Sequence, residues 1–188
     1  KMNVVLTPKI KGTIDTQTVE YGNPLKIKIS YRGQGDVIAT LALEGSPIEE
    51  DDRVKTNVFD DYVQFVIRSA ELSDEGTFKV TLSNEAGSDS VAFKVKVQAK
   101  PGTPRGPLNV EEVTDHTVTV SWKPPTFDGG CTVKSYVVER QELDTPNWIT
   151  ASSYVKENKF VIQGLKKGTP YNFRVSAENE IGVGNPLE

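Results

Sequence analysis

The stretch TVTVSWKPPTFDGGCTVKSYVVER, Thr117 to Arg140, holds most of the information about fold in the 188-residue chain. It alternates Val118, Val120 and Trp122 with polar residues, breaks at two prolines and two glycines, and resumes as an apolar-rich run through Tyr136. A period of two sends alternate side chains to opposite faces of a strand, so this reads as strand, hard turn, strand. The turn also contains Cys131, the only cysteine, and a glycine pair beside a thiol is equally the look of a reactive loop. A nucleophilic thiol needs a base or a positive environment to form thiolate. The only histidine is His116. On the strand reading it precedes the strand that Cys131 follows, which separates the two by roughly 20 Å. The glycines permit positive φ and the prolines set the exit from the strand. The stretch is a turn.

The same alternation recurs on both sides. Leu25, Ile27 and Ile29 alternate with Lys26 and Lys28; Phe78, Val80 and Leu82 follow the pattern, as do Val91, Phe93, Val95 and Val97. Tyr171, Phe173, Val175 and Ala177 close the series. Short half-buried strands separated by Gly, Asn and Pro turns predict an all-β chain of antiparallel sandwiches. The best helical candidate, Tyr62 to Leu72, is rich in β-branched and aromatic residues and is expected to be a strand through about Arg68, then a short turn. The length suits two domains. Pro101, Gly102 and Pro104 lie between two complete strand sets, so the boundaries expected are 1–99, a restricted linker at 100–103, and 104–188.

Composition narrows the function classes. The chain is 36% hydrophobic and 26% charged, with a net charge of −4. Such a weak acidic balance gives no drive toward nucleic acid or an anionic membrane. No apolar run approaches the length that spans a bilayer. One cysteine forms no intramolecular disulfide, and none of the ten asparagines begins a glycosylation acceptor, which together favour the cytosol. One Cys and one His do not complete a zinc site. A phosphate-cradling loop is absent too. The run Glu49-Glu50-Asp51-Asp52, with Asp60-Asp61 nearby, has no EF-hand spacing and reads as a solvated loop or guarded edge rather than a calcium site. No catalytic, cofactor or metal residue is expected.

The second half resembles a fibronectin type III domain of the kind found in giant muscle proteins. The resemblance lies in GPLNVEEV, VTVSWKPPTFDGG, VKSYVVERQE and GLKKGTPYNFRVSAENEIGVGNP, running from Pro104 nearly to the end. It implies a core tryptophan at Trp122, a following-strand tyrosine at Tyr136, and a leucine-to-tyrosine spacing at Leu165 and Tyr171, whose hydroxyl bonds back to upstream backbone. It also implies a final strand after Gly182 to Pro186, which this chain would make short or incomplete. The first half resembles an intermediate-set immunoglobulin domain through GNPLKIKISYRG and AELSDEGTFKVTLSNEAG, with Asp74-x-Gly76-x-Phe78 and Asn84-x-x-Gly87 as its marks. The departures are informative. Ile29 and Val80 stand where the family has its inter-sheet cysteines, Leu41 where it has its tryptophan, and Phe78 where it has its corner tyrosine. The expectation is a first domain held by aliphatic packing alone and weaker than the second. An ion pair from Arg53 to Asp74 is also expected.

Together the resemblances imply a non-enzymatic, monomeric segment of a cytoplasmic sarcomeric protein of the titin, twitchin or obscurin type, whose kinase, where present, lies elsewhere. It would carry tension, sit beside neighbouring immunoglobulin and fibronectin domains, and bind filament or signalling proteins in the myofibril. The alternative, an extracellular adhesion or receptor fragment, calls for the cysteines and glycosylation acceptors that this sequence lacks.

Overall fold

The computed structural model describes residues 4–188; residues 1–3 of the first domain lie outside the described residues. The chain divides into two compact units, Lys1–Gln98 and Ala99–Glu188.

In the first unit the strands are β1 (Lys9–Ile10), β2 (Gln17–Glu20), β3 (Leu25–Arg32), β4 (Ile38–Leu43), β5 (Ser46–Ile48), β6 (Val54–Val58), β7 (Tyr62–Ile67), β8 (Gly76–Asn84) and β9 (Gly87–Gln98). They form a sheet ordered β1-β3-β7-β6 and a second ordered β2-β9-β8-β4-β5. The alternation read from the sequence is realised residue by residue in β3, where Leu25, Ile27, Ile29 and Tyr31 are buried and Lys26, Lys28, Ser30 and Arg32 exposed. The sheets close on one apolar core to which both contribute: Ile27, Val63 and Phe65 from one, Val80, Leu82 and Val95 from the other. The run beginning at Tyr62 is a strand through Ile67, and the turn after it is a single 3-10 turn at Leu72–Asp74.

The expected aliphatic core is corrected here. Phe65 and Phe78 are completely buried, Phe93 nearly so, and the Phe78 and Phe93 rings stack at 5.9 Å. Large aromatic side chains bury the most apolar area per residue and stack favourably in offset arrangements. Ile29, Val80 and Leu41 do fill the core. The phenylalanines supply the volume that no disulfide or tryptophan supplies. Phe65 and Phe93 lie at ordinary strand positions, and Phe78 at the corner-tyrosine position, where its ring fills the core.

The second unit has β10 (Arg105–Val113), β11 (Val118–Lys123), β12 (Ser135–Glu142), β13 (Ile149–Val155), β14 (Lys159–Ile162) and β15 (Tyr171–Glu178). Its sheets are ordered β10-β11-β14 and β13-β12-β15. Pro107 is accommodated in β10 because that strand is an edge and its register shifts between Arg105 and Asn109. After β15 the chain pairs back through Val183 and Leu187, with Val175 and Leu187 exchanging both backbone bonds at 2.8 and 2.9 Å. The core gathers Val120, Trp122, Tyr136, Val138, Ile162 and Val175. Trp122 and Tyr136 meet edge-to-face at 5.3 Å.

Candidate functional site

Two features of the first unit hold its terminal strands. β2 pairs parallel with β9, in the register Gln17 with Val95 through Glu20 with Gln98. The ladder is continued by the Tyr21 N–H donating to the Gln98 carbonyl at 2.7 Å. On the far side of β9, the Val97 N–H donates to the Glu75 carboxylate at 3.1 Å, so a side chain substitutes for a strand there. The turn carrying Glu75 is itself tied down. Asp74, only 4% exposed, accepts the Glu71 N–H at 2.8 Å and the Arg53 guanidinium at 2.6 Å on the same oxygen. The expected Arg53–Asp74 pair is therefore formed, and the hydrogen bond to Asp74 is the first cause holding the Arg53 guanidinium above its ordinary pKa. Beyond it, Gly76 has a φ of +148° in close approach to Glu44, whose carboxylate accepts the Thr77 N–H at 2.5 Å.

In the second unit the fastening is different. The Ala99 N–H donates to the Gly129 carbonyl at 2.8 Å and the Gly102 N–H to the Phe127 carbonyl at 2.9 Å. Asn179, buried to 1%, donates through Nδ2 to the carbonyls of Ala99 at 2.7 Å and Asp128 at 2.8 Å. A Cβ at Gly129 would lie 2.0 Å from the Ala99 oxygen, and one at Gly184 would lie 2.1 Å from the Pro101 oxygen. Two glycines therefore permit the incoming chain to pass. Pro101 and Pro104 are buried. The segment read as a linker at 100–103 is thus built into the second unit by backbone bonds, which the sequence pattern alone did not indicate. Gly129, the first of the double glycine beside Cys131, has its explanation in this approach.

Tyr171 and Leu165 are each tied to backbone. The Lys166 N–H donates to the Tyr171 hydroxyl at 3.1 Å, and Leu165 is buried, its N–H donating to the His116 carbonyl at 3.0 Å. The sequence reading missed Trp148, which lies under the Arg174 guanidinium at 4.2 Å while Arg174 also grips Glu139 through two bonds. The signal was a lone tryptophan with no strand partner visible in the sequence.

His116 and Cys131 lie at opposite ends of β11. His116 Nδ1 lies 3.1 Å from the Leu165 carbonyl, in the turn before β11, and Cys131 sits in the turn after it. The acidic run is spent on its own turn: one Asp51 oxygen accepts the N–H groups of Arg53 and Val54, both at 2.7 Å. Among the described residues no group of three or more His, Cys, Asp or Glu could hold a metal ion. An open groove of about 900 Å³ between β13 and β14 is lined by Arg140, Thr150, Glu157, Lys159, Phe160 and Gln163 among others. No helix among the described residues is long and apolar enough to cross a membrane.

Comparison with known proteins agrees with this architecture. The immunoglobulin I-set model matches residues 8–97 and the fibronectin type III model residues 99–188. A titin homolog of Caenorhabditis elegans is 33% identical over 96% of this chain, and human slow-type myosin-binding protein C is 32% identical over 99% of it. The chain spans 1% and 17% of the lengths of those two relatives. Among solved structures, titin domains A168–A170 superpose with a TM-score of 0.64 at 26% identity, covering 98% of this chain and 65% of that one. The chain is therefore an immunoglobulin I-set domain followed by a fibronectin type III domain, homologous to segments of titin and myosin-binding protein C.

Proposed function

We propose that this chain is a structural, tension-transmitting and protein-docking segment of a cytoplasmic sarcomeric protein, performing no catalysis. The observation that carries the reading is the parallel pairing of β2 with β9. Once the two-residue β1 is pulled free of β3, force on the two ends of the first domain draws β2 toward its N-terminus and β9 toward its C-terminus. In a parallel pair these directions oppose one another along the strands, so the ladder bonds are loaded in shear and must fail together. An antiparallel terminal pair in a hairpin would instead open one bond at a time. Kinship with titin and myosin-binding protein C supports the muscle setting.

The test is single-molecule pulling between the ends of the 188-residue chain. Val19→Pro, at the centre of β2, removes a backbone donor inside the ladder. Asn57→Pro, in the edge strand β6, serves as a control away from the terminal strands. The first should lower the unfolding force far more than the control once both are compared at equal loss of equilibrium stability. Equal losses of force would refute the shear reading.

A further inference from the structure

The outward face of the sheet β1-β3-β7-β6 carries a charge pattern that the protein as a whole does not. None of the four strands contains an aspartate or glutamate. Their outward positions hold Lys9, Lys26, Lys28, Arg32 and Lys55, joined by Lys11, whose N–H donates to the Ser30 carbonyl just beyond β1. The register makes this a single surface: Lys26, Val66 and Lys55 form one row across three strands, and Lys28, Gln64 and Asn57 the next. Lys9 and Arg32 are directly opposed. Like charges opposite one another destabilise a sheet, and among the described residues none of these six cations lies within 4.0 Å of a carboxylate. Six cations on one sheet face of a chain with net charge −4 mean that the negative charge lies elsewhere, some of it close to the ends of this face. Asp51 and Asp52 precede β6, Asp60 and Asp61 follow it, and Asp89 accepts the Ile10 N–H beside β1.

We infer that this face is a docking surface for an extended acidic polypeptide segment of another protein. The inference rests on the docking part of the function proposed above and not on the tension reading. Successive outward residues of a strand stand about 6.6–6.8 Å apart. Lys26 and Lys28 therefore match the carboxylates of an extended segment with an acidic residue at every second position. Val66 and Gln64, half-buried on β7 between β3 and β6, give such a segment an uncharged floor. The face across β3, β7 and β6 is three strands wide, roughly 10 Å, and the acidic turns at the two ends of β6 bound it along the strand direction. A flat anionic membrane would press its charge against those turns as well. A single-stranded nucleic acid would seek aromatic platforms for its bases. The one ring on this face, Tyr62, is already stacked on Phe59 at 4.4 Å and capped by Lys28 Nζ at 4.1 Å.

The experiment is titration of the isotope-labelled 188-residue chain with an eight-residue peptide alternating Glu and Thr, followed by amide shift changes at low and moderate salt. Shifts should centre on β3, β6 and β7, and affinity should fall as salt rises. Lys26→Glu/Lys28→Glu/Arg32→Glu should weaken binding about tenfold or more. Its neutral counterpart, with Gln at the same positions, should weaken it less. Lys79→Glu/Lys94→Glu/Lys96→Glu, on the other sheet, should change it little; an equal loss would reduce the effect to general charge and overturn the inference. Tighter binding to an eight-nucleotide oligo(dT) or to phosphatidylserine vesicles than to the peptide would overturn it in favour of those partners. Shifts on the acidic turns that grow with protein concentration alone would overturn it in favour of a second copy of this chain. None of these outcomes bears on the pulling result, so the two readings fail separately.

Discussion

Replacing Asp74 by alanine should destabilise the first domain by about 2–3 kcal/mol. A single oxygen of Asp74 holds two donors: the Arg53 guanidinium at 2.6 Å and the Glu71 N–H at 2.8 Å. A hydrogen bond to a charged group is worth about 1.5–3 kcal/mol net. Arg53 keeps 32% of its side-chain surface in water, against 6% for Asp74, so its share belongs near the lower end. Removing the acceptor also strands the part-buried Glu71 N–H, at a cost of about 1–3 kcal/mol less whatever the turn recovers by relaxing. Asp74→Asn retains an acceptor for Glu71 without the charge and should cost about 1 kcal/mol. Arg53→Ala leaves the buried carboxylate with its backbone donor and should cost about 1–2 kcal/mol. For a domain of this size 1 kcal/mol moves the midpoint by about 4–8 °C, so the alanine variant should melt about 8–24 °C lower. Calorimetry follows the two domains together. Trp122 and Trp148, both in the second domain, report that half separately by fluorescence and should be unmoved. A double-mutant cycle between positions 53 and 74 should give a coupling of about 1 kcal/mol. Coupling indistinguishable from zero, or a midpoint unchanged by Asp74→Ala, would refute the claim that this oxygen fastens the turn.

Of the twelve largest fully buried side chains, ten belong to the first domain, including Phe65 and Phe78, so the second domain should unfold first in urea. That reverses the order expected when the first core was taken as aliphatic; tryptophan fluorescence lost at higher urea than the remaining far-UV signal would contradict it. Acid should weaken the first domain through Asp51 and Asp89. The backbone N–H of Val54, then that of Arg53, holds the Asp51 carboxyl below its ordinary pKa, and the N–H of Ile10 does the same for Asp89. Carboxyls with folded values below their unfolded value of about 3.9 contribute fully above it, and their contribution is lost as pH falls through the folded value. The first domain's midpoint should therefore be flat above about pH 5 and drop below about pH 4, with a shallower drop in Asp51→Asn/Asp89→Asn; identical slopes would exclude the two carboxylates as its cause.

The strands were legible because a period of two, repeated over runs such as Leu25–Arg32, has one physical reading when each alternate residue is apolar. Asp74, Trp122 and Tyr171 were legible for a different reason: they stand at fixed spacings from glycines and leucines that the families share. Phe65 was not singled out, because a phenylalanine inside a strand pattern carries no mark of how deeply it will lie. The binding of Ala99–Gly102 into the second domain was hidden for a related reason. Its partners Gly129, Asn179 and Gly184 lie between 30 and 85 residues away in sequence, and only the closed sandwich brings them together. The basic face was equally obscured, since its charges are distributed over four strands whose register the sequence does not state.

On the proposed tension-bearing role, the two domains would hold their terminal segments by different means. A sandwich pulled at its ends fails where the terminal segments leave the sheet, so stability in the middle of the core offers no protection there. The first domain answers with a parallel ladder and with Glu75, whose carboxylate occupies the Val97 N–H at the strand's open side. The second fixes its incoming chain through Asn179 and two glycines and its outgoing chain through paired bonds between Leu187 and Val175. Neither device enlarges the hydrophobic core, and each uses backbone groups that would otherwise need water. Substitutions at Glu75 or Gly129 should therefore weaken the hold on a terminal segment by more than their share of core packing would indicate, because the bonds they protect are those that would be loaded first under the proposed function.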